Sequence, residues 1–183
     1  QPTAPAATSG MVAVGAFGGT MQTFTISGTY AYVSEGLNFV IFDISTPSNP
    51  VEVGRTMLPD MAWEIKIVGS YAYVADWGKG LQIVDITDPN APDVVGSWQR
   101  ETPRTSAYAI GIYNHYAYLG GFDNLVVLDI SDPTAPTYVK DVSGSFWAQE
   151  MVIDSQTLYL AGGNGGLVLY DLSDPSTPAF VSS

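Results

Sequence analysis

Two carboxylates, Glu64 and Glu150, occupy the same position in two copies of a repeated sequence unit, which makes them the first candidates for chemistry. If the segments that carry them line a common channel, the two side chains could act as general acid and base or bind a cation. The other two copies have Thr23 and Ala109 at this position. The alternative is a solvated channel wall in which Glu64 forms an ordinary ion pair with Lys66.

Four aromatic residues, Trp63, Trp77, Tyr108 and Trp147, fall near predicted strand ends or in loops. Aromatic side chains at the rim of a channel could stack on a sugar or hold a protein partner. Packing inside or between the repeated units is the alternative role for most of them. We therefore treat these four residues, together with the two carboxylates, as rim or channel candidates for binding.

Other residue types offer little basis for catalysis. His115 is the only histidine and lies in a predicted turn, and the chain has no cysteine, which excludes thiol catalysis and Cys-based zinc sites. Acidic pairs such as Asp85 and Asp88 recur in three of the units, but their spacing is not that of a calcium loop. Asp side chains that bond to turn backbone explain them better. We expect no metal site, no cofactor and no enzymatic activity.

The charge balance limits the partners. Six Lys and Arg residues against 18 Asp and Glu residues give the 183-residue chain a formal net charge of −12. A nucleic-acid or anionic-membrane partner is therefore not expected, because both require a basic surface. No apolar run approaches the ~18 residues of a spanning helix, so membrane insertion is not expected either. Frequent Gly, Ser and Thr, scarce Lys and a Pro/Ala/Thr-rich linker at residues 1–10 predict an extracellular or cell-surface protein.

A fourfold repeat dictates the elements that position these residues. The segment LQIVDITDPNAP (81–92) returns as FVIFDISTPSNP (39–50), LVVLDISDPTAP (125–136) and LVLYDLSDPSTP (167–178). The first aspartates of these segments are 42, 44 and 42 residues apart: Asp43, Asp85, Asp129 and Asp171. A period of this size indicates one supersecondary unit used four times.

Each unit reads as four short strands. In the second unit, EIKIV, YAYVADW, LQIVDI and DVVGSWQ are separated by turn residues, and no helical period occurs. This predicts an all-β propeller of four-stranded antiparallel blades, at about residues 18–58, 59–101, 102–143 and 144–183. Glycine-rich segments 78–80 and 162–166 are predicted hairpin turns with positive φ. Apolar inner-strand pairs are predicted to pack between blades: Phe24/Ile26, Ile65/Ile67, Ile110/Ile112 and Met151/Ile153.

The third strands carry a family resemblance. The pentapeptides FVIFD (39–43), LQIVD (81–85), LVVLD (125–129) and LVLYD (167–171), each followed by a proline-containing turn, resemble the LVIVD-repeat family of β-propellers. The resemblance covers about residues 20–183. It implies the propeller fold and a secreted or cell-surface protein of bacteria or archaea, without an assigned reaction.

The segment before the first repeat contains a predicted strand that belongs to none of the four units. Residues 11–17 (MVAVGAF) resemble the fourth strands PVEVGRT (50–56) and PDVVGSW (92–98), yet no first three strands precede them. This unmatched strand, with Met11, Val12, Val14 and Phe17, is the predicted self-association strand. It could complete the last blade of a closed ring, belong to a longer propeller, or pair with another copy in a dimer or filament.

Together these patterns predict a non-enzymatic extracellular scaffold that associates with itself or with another surface protein through blade edges and loops. One alternative is a glycan-binding module that uses the rim aromatics. The other is a hydrolase or lyase that uses the paired glutamates in the channel.

Overall fold

The computed structural model describes residues 21–100 and 106–183. Within these residues sixteen strands form four antiparallel four-stranded sheets, and in each sheet the strands lie in sequence order. The predicted all-β class and four-bladed repeat are confirmed. The predicted linker at residues 1–10 and the predicted strand at 11–17, with Met11, Val12, Val14 and Phe17, lie outside the described residues.

The strands of each sheet follow one pattern, from an inner first strand to an outer fourth strand. Blade 1 contains β1 (Met21–Ser27), β2 (Tyr30–Glu35), β3 (Asn38–Asp43) and β4 (Val51–Met57). Blade 2 contains β5 (Ala62–Val68), β6 (Tyr71–Asp76), β7 (Gly80–Asp85) and β8 (Asp93–Trp98). Blade 3 contains β9 (Ala109–Tyr113), β10 (Tyr116–Gly120), β11 (Phe122–Asp129) and β12 (Thr137–Trp147). Blade 4 contains β13 (Glu150–Asp154), β14 (Thr157–Ala161), β15 (Leu167–Asp171) and β16 (Ala179–Ser182).

The hairpin between the first and second strands is built alike in every blade. Its turn has a residue with positive φ at the same repeat position: Gly28, Gly69, Asn114 and Ser155. Glycine and asparagine adopt this left-handed conformation at low cost, and it matches the twist of the flanking strands. The turn predicted between EIKIV and YAYVADW is thereby confirmed, with Gly69 at its positive-φ position.

Apolar clusters fill the interfaces between consecutive blades. Each cluster brings together the start of a third strand and the inner strand of the following blade: Phe39 with Ile65, Leu81 with Ile110, and Leu125 with Met151. The prediction of inter-blade packing is confirmed for these inner strands, where Ile67, Ile112 and Ile153 also pack against the clusters.

The same prediction is wrong for blade 1. Phe24 is 65% exposed and Ile26 is 57% exposed. The equivalents of Phe24 are buried against the preceding blade and those of Ile26 are half-buried there, whereas the cluster on this side of blade 1 contains only residues of blade 1. Among the described residues, no apolar cluster joins blade 4 to blade 1.

Glycines in the outer strands β4 and β8 allow the next blade to approach their backbone closely. A Cβ placed on Gly54 would overlap the carbonyl oxygen of Pro89, and one placed on Gly96 would overlap the carbonyl oxygen of Pro133. Both prolines belong to the turn after the third strand of the following blade. The backbone of β4 and β8 therefore lies directly against that turn, at a distance that only glycine permits.

Three local features differ from the simple repeat. The predicted hairpin at 78–80 is a 3-10 turn at Trp77–Lys79, and Gly80, rather than Gly78, has the positive φ. Strand β12 extends to Trp147, beyond the predicted blade boundary at 143/144. The fourth sheet contains its own outer strand, since β16 pairs with β15.

Candidate binding site at the central cavity

The inner strands of all four blades border a central space. At one end, β1, β5, β9 and β13 line a cavity of about 370 Å³. At the other end, β1 and β5, with the start of the fourth blade, line a polar cavity of about 270 Å³. Its polar wall contains Thr23, Glu64, Lys66, Gln149 and Glu150. We call this second space the polar cavity.

Glu64 is held by contacts on both sides. Its carboxylate forms an ion pair with Lys66 and accepts a hydrogen bond of 2.7 Å from the backbone N–H of Ile110 in blade 3. Burial raises the pKa of Glu64, and the charge of Glu150 adds to this, while Lys66 and the Ile110 N–H act in the opposite direction. The side chain therefore links blades 2 and 3 while it lines the cavity.

Glu150 and Gln149 form the opposite wall of the polar cavity. Both residues are exposed, in contrast to the mostly buried Glu64. The structure thus brings the two predicted carboxylates to one cavity, where they differ in environment. The Glu64 carboxylate, however, is already engaged by Lys66 and by the Ile110 N–H.

The four predicted aromatic residues form one cluster around Tyr108. The ring centroids of Trp63 and Tyr108 are 5.1 Å apart, and those of Tyr108 and Trp147 are 5.8 Å apart, both in edge-to-face geometry. Trp77 Nε1 donates a hydrogen bond of 3.2 Å to the Tyr108 hydroxyl. Trp63 also lines the polar cavity, so the cluster and the cavity are continuous. We call these four side chains the rim cluster.

Local irregularities of the backbone place the rim cluster. Ala62 pairs with Asp76 and Glu64 pairs with Ala75, so Trp63 is the extra residue of a β-bulge, a feature that redirects a side chain. Trp77 begins the 3-10 turn, and its carbonyl accepts a hydrogen bond of 2.8 Å from Ala107 N in blade 3. These contacts fix the aromatic rings of neighbouring blades relative to each other.

Sequence reasoning missed Asp76, which lies beside the rim cluster. Asp76 is fully buried, and burial raises its pKa to about 7. Its Oδ2 accepts a hydrogen bond of 3.3 Å from Asp60 N, and its Oδ1 has no hydrogen-bond partner within the described part of the chain. Only Glu35 offers a carboxylate at the equivalent position of another unit, so the repeat alone gives no signal for a buried acid.

The remaining candidates from the sequence, His115 and the recurring aspartates, lie at turns of the structure. His115 is exposed in the turn between β9 and β10, with its ring 4.6 Å from that of Tyr116. The aspartate that ends each third strand accepts a hydrogen bond from the backbone N–H two residues later, at 2.8 Å in every blade: Asp43, Asp85, Asp129 and Asp171. The backbone N–H groups of Ser45 and Ser131 lower the pKa of Asp43 and Asp129, and the side chain and backbone N–H of Thr87 lower the pKa of Asp85. The acidic pattern therefore stabilises turns.

No helix in residues 21–100 and 106–183 is long and apolar enough to cross a membrane.

A search of curated proteins found no match. Among solved structures of similar fold is the crystal structure of the computationally designed Ika4 protein, with a TM-score of 0.67. The similarity covers 85% of this chain and 93% of that chain at 9% sequence identity, so it concerns the fold alone.

The repeats themselves match a family model. The LVIVD repeat model matches four times, at residues 18–57, 59–99, 105–143 and 148–183. These matches coincide with the four sheets and leave few residues between them. The chain therefore belongs to the LVIVD-repeat family.

Proposed function

We propose that this chain is a self-associating structural module, in which blade 4 of one copy packs against blade 1 of a second copy. The observation that carries the proposal is the exposure of positions that are core elsewhere in the repeat. Leu167 is 56% exposed, whereas Leu81 and Leu125 at the same repeat position are 0% exposed. An apolar sheet face in water is costly and marks an interaction surface.

The two exposed faces fit each other by the logic of the repeat. We call the side of blade 1 with Phe24 and Ile26 the leading face, and the side of blade 4 with Val152, Leu167 and Val181 the trailing face. All five side chains are more than half exposed. Inside the chain, the face of each blade that corresponds to the leading face packs on the trailing-type face of the blade before it. A second copy can therefore supply each exposed face with the apolar partner that it lacks.

This contact is head-to-tail, so its symmetry has two outcomes. If the rotation between copies closes, two or more chains form a ring; if it does not close, they form a filament. The fourth sheet already has β16 beside β15, which leaves packing between blades as the better-supported route to assembly. The net charge of −12 opposes assembly at low salt, so association is expected to strengthen as salt screens it.

Frequent Gly, Ser and Thr and scarce Lys support an extracellular or cell-surface location for such a module. The acid/base alternative has less support, because the Glu64 carboxylate is engaged by Lys66 and the Ile110 N–H. A rigid scaffold that presents blade edges and loops, without a reaction, agrees best with these contacts.

Light scattering during size-exclusion chromatography tests the proposal. Wild type should exceed its 19.5 kDa chain mass at micromolar concentration in about 0.15 M salt. Leu167→Glu and Phe24→Glu should each weaken association at least about tenfold, because each places an unpaired charge in an apolar contact. Leu37→Glu is the matched control, since this exposed leucine lies in a hairpin turn.

Mixing the two face variants sharpens the test. A mixture of Leu167→Glu and Phe24→Glu chains contains one intact face of each kind, so it should form dimers that neither variant forms alone. A variant lacking residues 1–17 separates this route from strand donation. Retained association supports packing between faces, whereas association lost on deletion but unaffected by Leu167→Glu would overturn it.

A further inference from the structure

We infer that the rim cluster and the adjoining polar cavity form a binding site for a neutral saccharide. Phe24 of the leading face also lines the polar cavity, but the side chains that carry the site are those of the rim cluster and of the polar wall. The site adds ligand recognition to the assembly proposed above.

The rim cluster supplies a rigid aromatic platform. Trp77 is 40% exposed and Trp147 is 42% exposed, on either side of Tyr108. Edge-to-face contacts and the Trp77 hydrogen bond fix the rings, so binding would cost little side-chain entropy. Exposed indole faces of this kind stack on apolar C–H surfaces, which a sugar ring presents on its faces.

The polar cavity supplies hydrogen-bonding groups of both kinds. Lys66 and Gln149 can donate, Glu150 can accept, and Thr23 can do both. Each sugar hydroxyl is itself a donor and an acceptor, so such a mixed wall suits a polyol. The volume of about 270 Å³ lies just below the range of ordinary small-molecule sites, which indicates room for a single sugar unit.

Charge selects the ligand class. Glu64 and Glu150 oppose an anion such as a phosphate or a sulfated sugar, and the net charge of −12 adds to this. Lys66 in the same wall opposes an amine or a metal cation, and its ion pair with Glu64 neutralises one of the two carboxylates. A neutral ligand with an apolar face and many hydroxyls remains, which is the chemistry of a saccharide.

The test uses the full chain and a panel of oligosaccharides. Neutral tri- and tetrasaccharides of glucose, galactose, mannose and N-acetylglucosamine are titrated by saturation-transfer NMR and tryptophan fluorescence, with sulfated and amino sugars as the charged set. At least one neutral series should bind at millimolar or lower concentration and outcompete the charged set. Failure of every neutral series, or preference for a charged sugar, overturns the inference.

Variants locate the site. Trp147→Ala should weaken the binding at least about tenfold through loss of stacking, and Glu150→Gln should weaken it severalfold without a change in the thermal melting temperature. Tyr138→Ala is the matched control, because this exposed aromatic lies on β12 and stacks on Trp98 in blade 2. Unchanged affinity in Trp147→Ala, or equal loss in Tyr138→Ala, contradicts the assignment.

Discussion

The contact between an outer strand and the next blade gives a sharp prediction for Gly96→Ala. A Cβ at this position would overlap the Pro133 carbonyl oxygen and lie 3.0 Å from the Pro133 carbonyl carbon and 3.2 Å from the Thr134 Cα. All three are backbone atoms, so no flexible side chain can move aside. Either β8 or the turn of blade 3 must shift, and the interface between blades 2 and 3 loosens.

The magnitude follows from the overlap. Overpacking of a well-packed site costs about 1–3 kcal/mol, and the rigid backbone here places Gly96→Ala near the upper end. For a domain of this size, 1 kcal/mol shifts the melting temperature by about 2–4 °C. We therefore expect a decrease of about 6–12 °C in a protein that still folds, since domains are stable by about 5–15 kcal/mol.

Circular dichroism during thermal and urea unfolding measures the effect, at low protein concentration so that assembly does not contribute. The matched control is Lys140→Ala, at the same repeat position in blade 3, where a long side chain is native. Its effect should stay within about 0.5–1 kcal/mol. A Gly96→Ala protein with the same melting temperature as wild type would refute the close approach between blades.

Three further predictions concern the core, the pH dependence and the acidic turns. Leu125→Ala should lower the free energy of unfolding by about 2–5 kcal/mol, whereas Leu167→Ala at the same repeat position should cost less than about 1 kcal/mol in the dilute chain, as measured by urea unfolding. Burial raises the pKa of Asp76 to about 7, against about 3.9 in an unfolded chain, so the folded state retains a proton between these values and stability should fall by up to about 4 kcal/mol from pH 4 to pH 8. Asp76→Asn should remove this part of the slope, and an unchanged slope would contradict the assignment. Millimolar Ca²⁺ should leave the melting temperature unchanged, because the turn carboxylates already bond to their own backbone.

The blades were predictable because their signals are local and repeated four times. Each third strand is an apolar run that ends in an aspartate and a proline-containing turn, and the structure places β3, β7, β11 and β15 there. The hairpin at Gly69 was predictable for the same reason, since its turn chemistry lies within a few residues. Even the acidic pattern could be assigned to turns, because Asp side chains bond to backbone two residues away.

Burial at the ends of the repeat was not predictable from the sequence. Phe24 and Ile65 are both apolar side chains at the same repeat position, but only Ile65 has a preceding blade to pack against. The same holds for Leu125 and Leu167. Whether such a position is core depends on a neighbour far along the chain or on another chain, which a local pattern does not contain.

The candidate site was predictable in composition but not in arrangement. The rim aromatics could be selected by type and position, but their convergence on Tyr108 depends on a bulge at Trp63, the 3-10 turn at Trp77 and the length of β12. Asp76 gave no signal, because its burial depends on tertiary contacts around Asp60 and the rim cluster.

One measurement tests the head-to-tail packing most directly, and the absence of native cysteine makes it clean. A Phe24→Cys/Leu167→Cys double variant is oxidised, or treated with a short bismaleimide, and its covalent products are sized under denaturing conditions. We predict covalently linked species at twice the 19.5 kDa chain mass and at higher multiples, absent from each single variant, and a reductant should release those formed by oxidation. A product that is linked only within one chain, or a chain that remains unlinked, would contradict packing of blade 4 on blade 1 of a second copy.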